Sequence, residues 1–129
     1  MFVPLIVIQE LQHPSAPERV RRWADKTPEW LEIRAAGPIT IPALHRIDPG
    51  EREAIQLAIS LHADTVLIDE ARGRRVAKSL HLEVRGTLGI LERAAKLGKI
   101  HFRTALYKLE QSKFRISSAV WEEFLRRNP

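Results

Sequence analysis

The sequence predicts an α/β domain in which helices alternate with the short strands of a parallel sheet. The run Ala63-Asp-Thr-Val-Leu-Ile68 is nearly all apolar, the pattern of a strand covered on both faces. Before it, Ala54, Leu57, Ala58 and Leu61 recur at helical spacing, and after it a basic helical segment follows. Helix, strand and helix in short succession imply right-handed crossovers and helices on both faces of the sheet. Composition agrees, since 44% of residues are hydrophobic and only 6% aromatic, which favours aliphatic helix-on-sheet packing over an all-β sandwich. At 129 residues the chain has enough apolar surface for one core, so residues 1–129 are read as a single domain.

Taken in order, Met1-Phe-Val reads as the end of an apolar strand, and Pro4 suits the first position of a helix running to about Gln12. His13-Pro-Ser-Ala-Pro17 is a turn, Glu18 to Asp25 a short basic helix, and Trp30-Leu-Glu-Ile33 a short strand. Gly37, Pro38, Pro42 and Pro49 make the stretch from Ala35 to Pro49 a loop, tacked down by Ile39, Ile41 and Leu44. Asp48-Pro-Gly-Glu51 then opens a helix to Leu61 as a capping box, with an N-cap aspartate, a first-position proline and an acid at the third helical position. Further on come a helix from about Arg72 to Leu80, a strand Leu82-Glu-Val-Arg85, a helix from about Leu88 to Leu97 capped by Gly98, and helices Phe102 to Gln111 and Ser117 to Arg127. Besides the N-terminal remnant, three strands are legible, fewer than the usual four to six or so of a sheet.

Several chemistries are excluded at once. Without cysteine there is no disulfide, thiolate nucleophile or thiolate-held zinc, which fits a reducing compartment. The five histidines are scattered, with no pair at the helical spacing of metal ligands. The run Val3 to Ile8 is far short of the roughly 20 residues of a membrane span, and the start lacks the marks of a signal peptide. A cytoplasmic protein without membrane contact is expected. The net charge of +5 makes polyanions natural partners.

Sites of open parallel sheets form beyond the C-terminal ends of the strands. Asp69 stands at such an end and Glu70 beside it, Glu51 lies at a helix N-terminus that can face the same crevice, and Glu10 sits about two turns into the first helix. Gathered carboxylates repel one another unless a hard cation such as Mg²⁺ or Mn²⁺ neutralises them, and such ions serve phosphodiester hydrolysis. Each acid also has an ordinary reading. Glu51 is a capping-box acid, Glu53 complements a helix dipole, Asp69 caps a helix, and Glu10 is a solvated helix residue. The basic run Arg72, Arg74, Arg75 and Lys78 either holds RNA phosphates or forms a solvated face paired with Glu70.

Three motifs sharpen the choice: Asp48-Pro-Gly-Glu-Arg-Glu-Ala-Ile-Gln-Leu-Ala58, Val66-Leu-Ile-Asp-Glu-Ala-Arg-Gly-Arg-Arg75 and Gly86-Thr-Leu-Gly-Ile-Leu91. With Val3 to Leu11 and Phe114 to Ser118, they make nearly the whole chain resemble the PIN-domain-like family DUF3368. The resemblance implies a three-layer α/β/α fold and a Mg²⁺- or Mn²⁺-dependent endoribonuclease, many relatives being toxins of toxin-antitoxin pairs. It matches Glu10, Glu51 and Asp69 to the family's metal-holding and catalytic acids, with Glu53 and Glu70 as adjacent alternatives. PIN-like domains begin with a strand ending in aspartate, and this chain starts after that point. The resemblance therefore implies an N-terminally shortened sheet, impaired activity and an open edge that favours a homodimer. The rival expectation is a catalytically silent module that binds RNA or a partner protein.

Overall fold

The computed structural model describes residues 1–128, which fall into two compact units, Met1–Val84 and a second beginning at Arg85. The architecture is mixed α/β. In the first unit, β1 (Phe2–Pro4) runs into α1 (Leu5–Leu11), and α2 (Glu18–Asp25) leads to β2 (Glu32–Arg34). β1 and β2 pair in parallel, with Phe2, Val3 and Pro4 opposite Glu32, Ile33 and Arg34. A 3-10 turn, Pro42–Arg46, precedes α3 (Pro49–Ser60), then β3 (Thr65–Leu67), α4 (Ala71–Ser79) and β4 (Glu83–Arg85). β4 pairs with β3.

Helix α3 is the centre of this unit, packed against α1, β1, β3, α4 and the 3-10 turn. Its buried residues are Gly50, Ile55, Gln56, Leu57 and Ala58, a wider set than the single apolar stripe expected. Ile55 is fully enclosed, whereas Ala54 and Leu61, expected to be buried, are only partly so. A helix covered on several sides buries more than one face, which a one-stripe reading misses. Leu44, Ile47, Val66, Ile68 and Ala77 complete the core around Ile55 and Ala58. Gln56, the one polar residue buried as a whole among the described residues, accepts a hydrogen bond from the Thr40 backbone N–H at 3.5 Å.

The stretch from Ala35 to Pro49 is more ordered than a plain loop. Arg52, in the first turn of α3, reaches back and donates to the carbonyls of Leu44 at 2.9 Å, His45 at 3.4 Å and Ile47 at 3.1 Å. A planar guanidinium satisfies three carbonyls at once, which ties the 3-10 turn to the start of the helix.

The ends of α3, α4 and the later α5 (Thr87–Lys96) share one device. After α3, His62 takes a positive φ of 51°, its N–H bonds the Ile59 carbonyl, and the Ala63 N–H bonds that of Ala58. After α4, His81 does the same at φ 62°, with the Leu82 N–H on the Ala77 carbonyl. These are Schellman ends, a motif that usually places glycine where the histidines stand. Gly98 fills that position after α5, at φ 72°, as expected.

Two expectations for the sheet change. Among the described residues the four strands form two separate two-stranded pairs, β1 with β2 and β3 with β4, rather than one sheet. Nor is β3 covered on both faces, because Val66 and Ile68 are buried while Leu67 is 44% exposed.

The second unit holds α5 (Thr87–Lys96), α6 (Phe102–Glu110) and α7 (Ser118–Arg127). Phe102 and Leu106 are its buried residues, and Phe102 stacks on Phe124 with ring centres 6.1 Å apart. Burial works to raise the Glu92 carboxyl, but the Asn128 amide at 2.8 Å and Arg127 at 3.1 Å outweigh it and hold the group below the usual carboxylate range. Ser117 caps α7 through its hydroxyl, which accepts from the Val120 N–H at 3.3 Å. No described helix is long and apolar enough to cross a membrane.

Candidate metal centre

Two helix N-termini meet at the acidic cluster. Asp48 is the N-cap residue of α3 and Glu51 stands in its first turn, while Glu70 is the N-cap residue of α4. Carboxylate oxygens of Asp48, Glu51 and Glu70 all lie within 4.8 Å of one another. The positive ends of both helices favour negative charge here, offsetting part of the mutual repulsion.

The capping box expected of Asp48 and Glu51 is absent. Asp48 has extended N-cap backbone angles, but its side chain accepts no capping bond. Glu51 Oε2 is buried and has no hydrogen-bond partner. An unpaired buried carboxylate oxygen costs stability, so capping does not account for this pair of acids.

Two glycines make the room. A Cβ at Gly73, in the first turn of α4, would lie 2.7 Å from Glu51 Oε2 and 3.0 Å from Ile68 Cγ2. A Cβ at Gly50 would lie 3.1 Å from Glu10 Oε2 and 3.4 Å from Val7 Cγ2. Both glycines are buried in helices, where the residue ordinarily costs up to about 1 kcal/mol relative to alanine. Their place here is steric: they let carboxylates lie directly against helix backbone.

Burial pushes the Glu51 carboxyl up to about 7, with further contributions from the charges of Glu70, Asp48, Asp69 and Glu10. Glu10 and Asp69 are thus close enough to act on Glu51, although the tight cluster itself consists of Asp48, Glu51 and Glu70. Of the two adjacent alternatives, Glu70 belongs to that cluster and Glu53 does not. The sequence shows Asp48 as an N-cap and not as a member of the cluster, because it fits that position so well. The signal available there was a pair of acids three residues apart at one helix start, followed by an acidic strand end.

A family model described as DUF3368, a PIN domain, matches residues 1–128. The chain belongs to this PIN-domain family. No curated protein and no solved structure matches it. PIN domains generally use a divalent metal, and the residues of this PIN domain fit one. The donors are hard oxygens, one is orphaned, and their mutual separation is of the order of twice a metal–oxygen distance of about 2.0–2.6 Å.

The basic run lies on α4, directly after Glu70. Arg72, Arg75 and Lys78 are exposed and Arg74 is partly buried. Arg72 donates from Nη1 to the Arg46 carbonyl at 3.4 Å, which holds its guanidinium beside the 3-10 turn.

Proposed function

We propose that this PIN domain is a Mg²⁺- or Mn²⁺-dependent endoribonuclease in which Asp48, Glu51 and Glu70 hold the metal, with Glu10 and Asp69 beside them. The observation that carries this reading is the buried, unpaired Glu51 Oε2 in the midst of four other acids. A metal-held site explains why a fold keeps such a group, where capping and ion pairing do not. When bound, the ion polarises a phosphoryl oxygen and lowers the pKa of a water molecule, the two demands of phosphodiester hydrolysis.

The protein's own groups supply the rest. Glu51 binds as carboxylate, so it gives up the proton that repulsion and burial favour at neutral pH. Glu10 and Asp69 orient water in the crevice, extending the acidic surface from α1 to the entrance of α4. Arg72, Arg74, Arg75 and Lys78 draw the phosphate backbone toward the cluster, in keeping with the net charge of +5. Family membership supports a further step, in which a cytoplasmic toxin acts on RNA and is restrained by an antitoxin protein.

The test is cleavage of a fluorogenic single-stranded RNA in Mn²⁺ and in EDTA. Mn²⁺-dependent cleavage is expected, reduced more than about 100-fold in Glu70→Gln, because even outer partners of a metal site cost 10–100-fold. The double variant R74A/R75A is expected to raise KM and flatten the salt dependence while leaving the metal response intact. RNA binding of the same salt dependence with no Mn²⁺-dependent cleavage would make the chain a binding module and contradict the nuclease reading.

A further inference from the structure

The Asp48 side chain makes no capping bond to α3, and its backbone is extended, at φ −61° and ψ 149°. Pro49 favours that conformation, because a proline ring crowds the preceding residue out of the helical region. What sets the place of the Asp48 carboxylate is therefore the chain that leads to it, residues 44–47.

Arginines from the two helices whose starts form the cluster grip that stretch. From α3, Arg52 donates through Nε to the Leu44 carbonyl at 2.9 Å, and through Nη2 to those of Ile47 at 3.1 Å and His45 at 3.4 Å. From α4, Arg72 donates to the remaining carbonyl, that of Arg46, at 3.4 Å. Four consecutive carbonyls thus accept guanidinium donors. The Arg52 backbone N–H also bonds the Asp48 carbonyl at 2.8 Å, so one residue holds the chain on both sides of the junction between Ile47 and Asp48. Glu51 directly precedes it in the sequence, and the first turn of α3 therefore supplies one acid of the cluster and the anchor for another.

We infer that Arg52 is a positioning residue of the metal centre: its planar fork, assisted by Arg72, fixes the backbone of residues 44–47 and so places the Asp48 carboxylate against Glu51 and Glu70. The inference rests on the metal reading above and adds to it a residue that acts through backbone rather than by touching the ion. A ligand set holds an ion tightly when its members stand in place beforehand, and losing a supporting partner costs about 10–100-fold in affinity. Lysine would keep the charge of Arg52 but not the fork, and a compact ammonium does not reproduce its set of fixed donors.

The test is calorimetric titration with Mn²⁺ at pH 8 of the wild type, Arg52→Lys, Arg52→Gln and Ile55→Val. Ile55 is enclosed in the core of α3, so its variant loosens the helix packing without touching the turn. Both Arg52 variants are expected to bind Mn²⁺ at least about tenfold more weakly, and Ile55→Val to bind within about threefold of wild type despite a lower unfolding midpoint. Without metal, the Leu44 and Ile47 amides, which bond the carbonyls of Ile41 and Leu44, should exchange at least about tenfold faster in Arg52→Lys, with those of Leu61 and Ala63 unchanged. Wild-type Mn²⁺ affinity in either Arg52 variant would show that the fork is not needed and overturn the inference. So would equal weakening in Ile55→Val, which would mean general loosening, or unchanged exchange in the turn. No Mn²⁺ binding by the wild type would remove the metal reading and this inference with it, whereas the other three outcomes leave that reading standing.

Discussion

Replacing Glu51 by glutamine is expected to stabilise the metal-free protein at pH 8 and to abolish its response to Mn²⁺. The sign follows from linkage. Burial and the surrounding acids push the Glu51 carboxyl up to about 7 in the folded chain from about 4.5 for a free glutamate, so folding favours its protonated form. That contribution is fully present below about pH 4.5 and is lost as the pH rises through 7. At pH 8 the charged carboxylate costs about 2 kcal/mol, allowing for solvent screening of a partly exposed group. Glutamine keeps the shape and removes the charge. Denaturant melts at pH 5 and pH 8 should show the wild type weakening over that interval and Glu51→Gln changing less. At pH 8, millimolar Mn²⁺ should raise the wild-type midpoint and leave that of the variant where it was.

Gly73→Ala is expected to destroy the metal response with little loss of stability, the reverse of an ordinary core substitution. Alanine in a helix interior gains about 1 kcal/mol over glycine. At this position the new Cβ meets Glu51 Oε2 at 2.7 Å, and the far end of a flexible side chain is the part that yields. The Ile68 Cγ2 atom at 3.0 Å offsets part of the gain. The unfolding free energy should therefore stay within about 1 kcal/mol of wild type, while the displaced carboxylate no longer serves the cluster. Gly89→Ala is the matched control, since a Cβ there meets nothing within 4 Å. It should be stabilising or neutral and keep the full Mn²⁺ response. Loss of the response in both variants would mean that the effect of Gly73 is not steric.

Legibility differed by element for physical reasons. The helix Glu18–Asp25 was readable to the residue because a proline precedes it and its basic face is continuous. Gly98 and Ser117 were readable because each has a local, side-chain-specific role. The helix ends at His62 and His81 were not, since a non-glycine residue at positive φ leaves no mark in the sequence. Arg52 was hidden likewise, because its three carbonyl partners are irregular backbone that periodicity does not describe.

The site was half legible. Acids at helix starts and strand ends drew notice to Glu51, Asp69, Glu70 and Glu10, but their closeness depends on how α1, α3 and α4 cross. Gly50 and Gly73 record that crossing, and a lone helical glycine in sequence has too many explanations to be read this way. Asp48 was masked by a good local rule that the folded chain does not follow. Local rules identify candidates, and only tertiary packing reveals which acids lack another partner.

The most direct test of the account is a calorimetric titration of the wild-type chain with Mn²⁺ at pH 6.5, repeated in two buffers of different ionisation enthalpy. A metal held by Asp48, Glu51 and Glu70 predicts saturable binding at one site, with release of more than half a proton per ion as Glu51 ionises, and no such release in Glu51→Gln. Binding without proton release, or the same release from Glu51→Gln, would place the metal elsewhere and contradict the account.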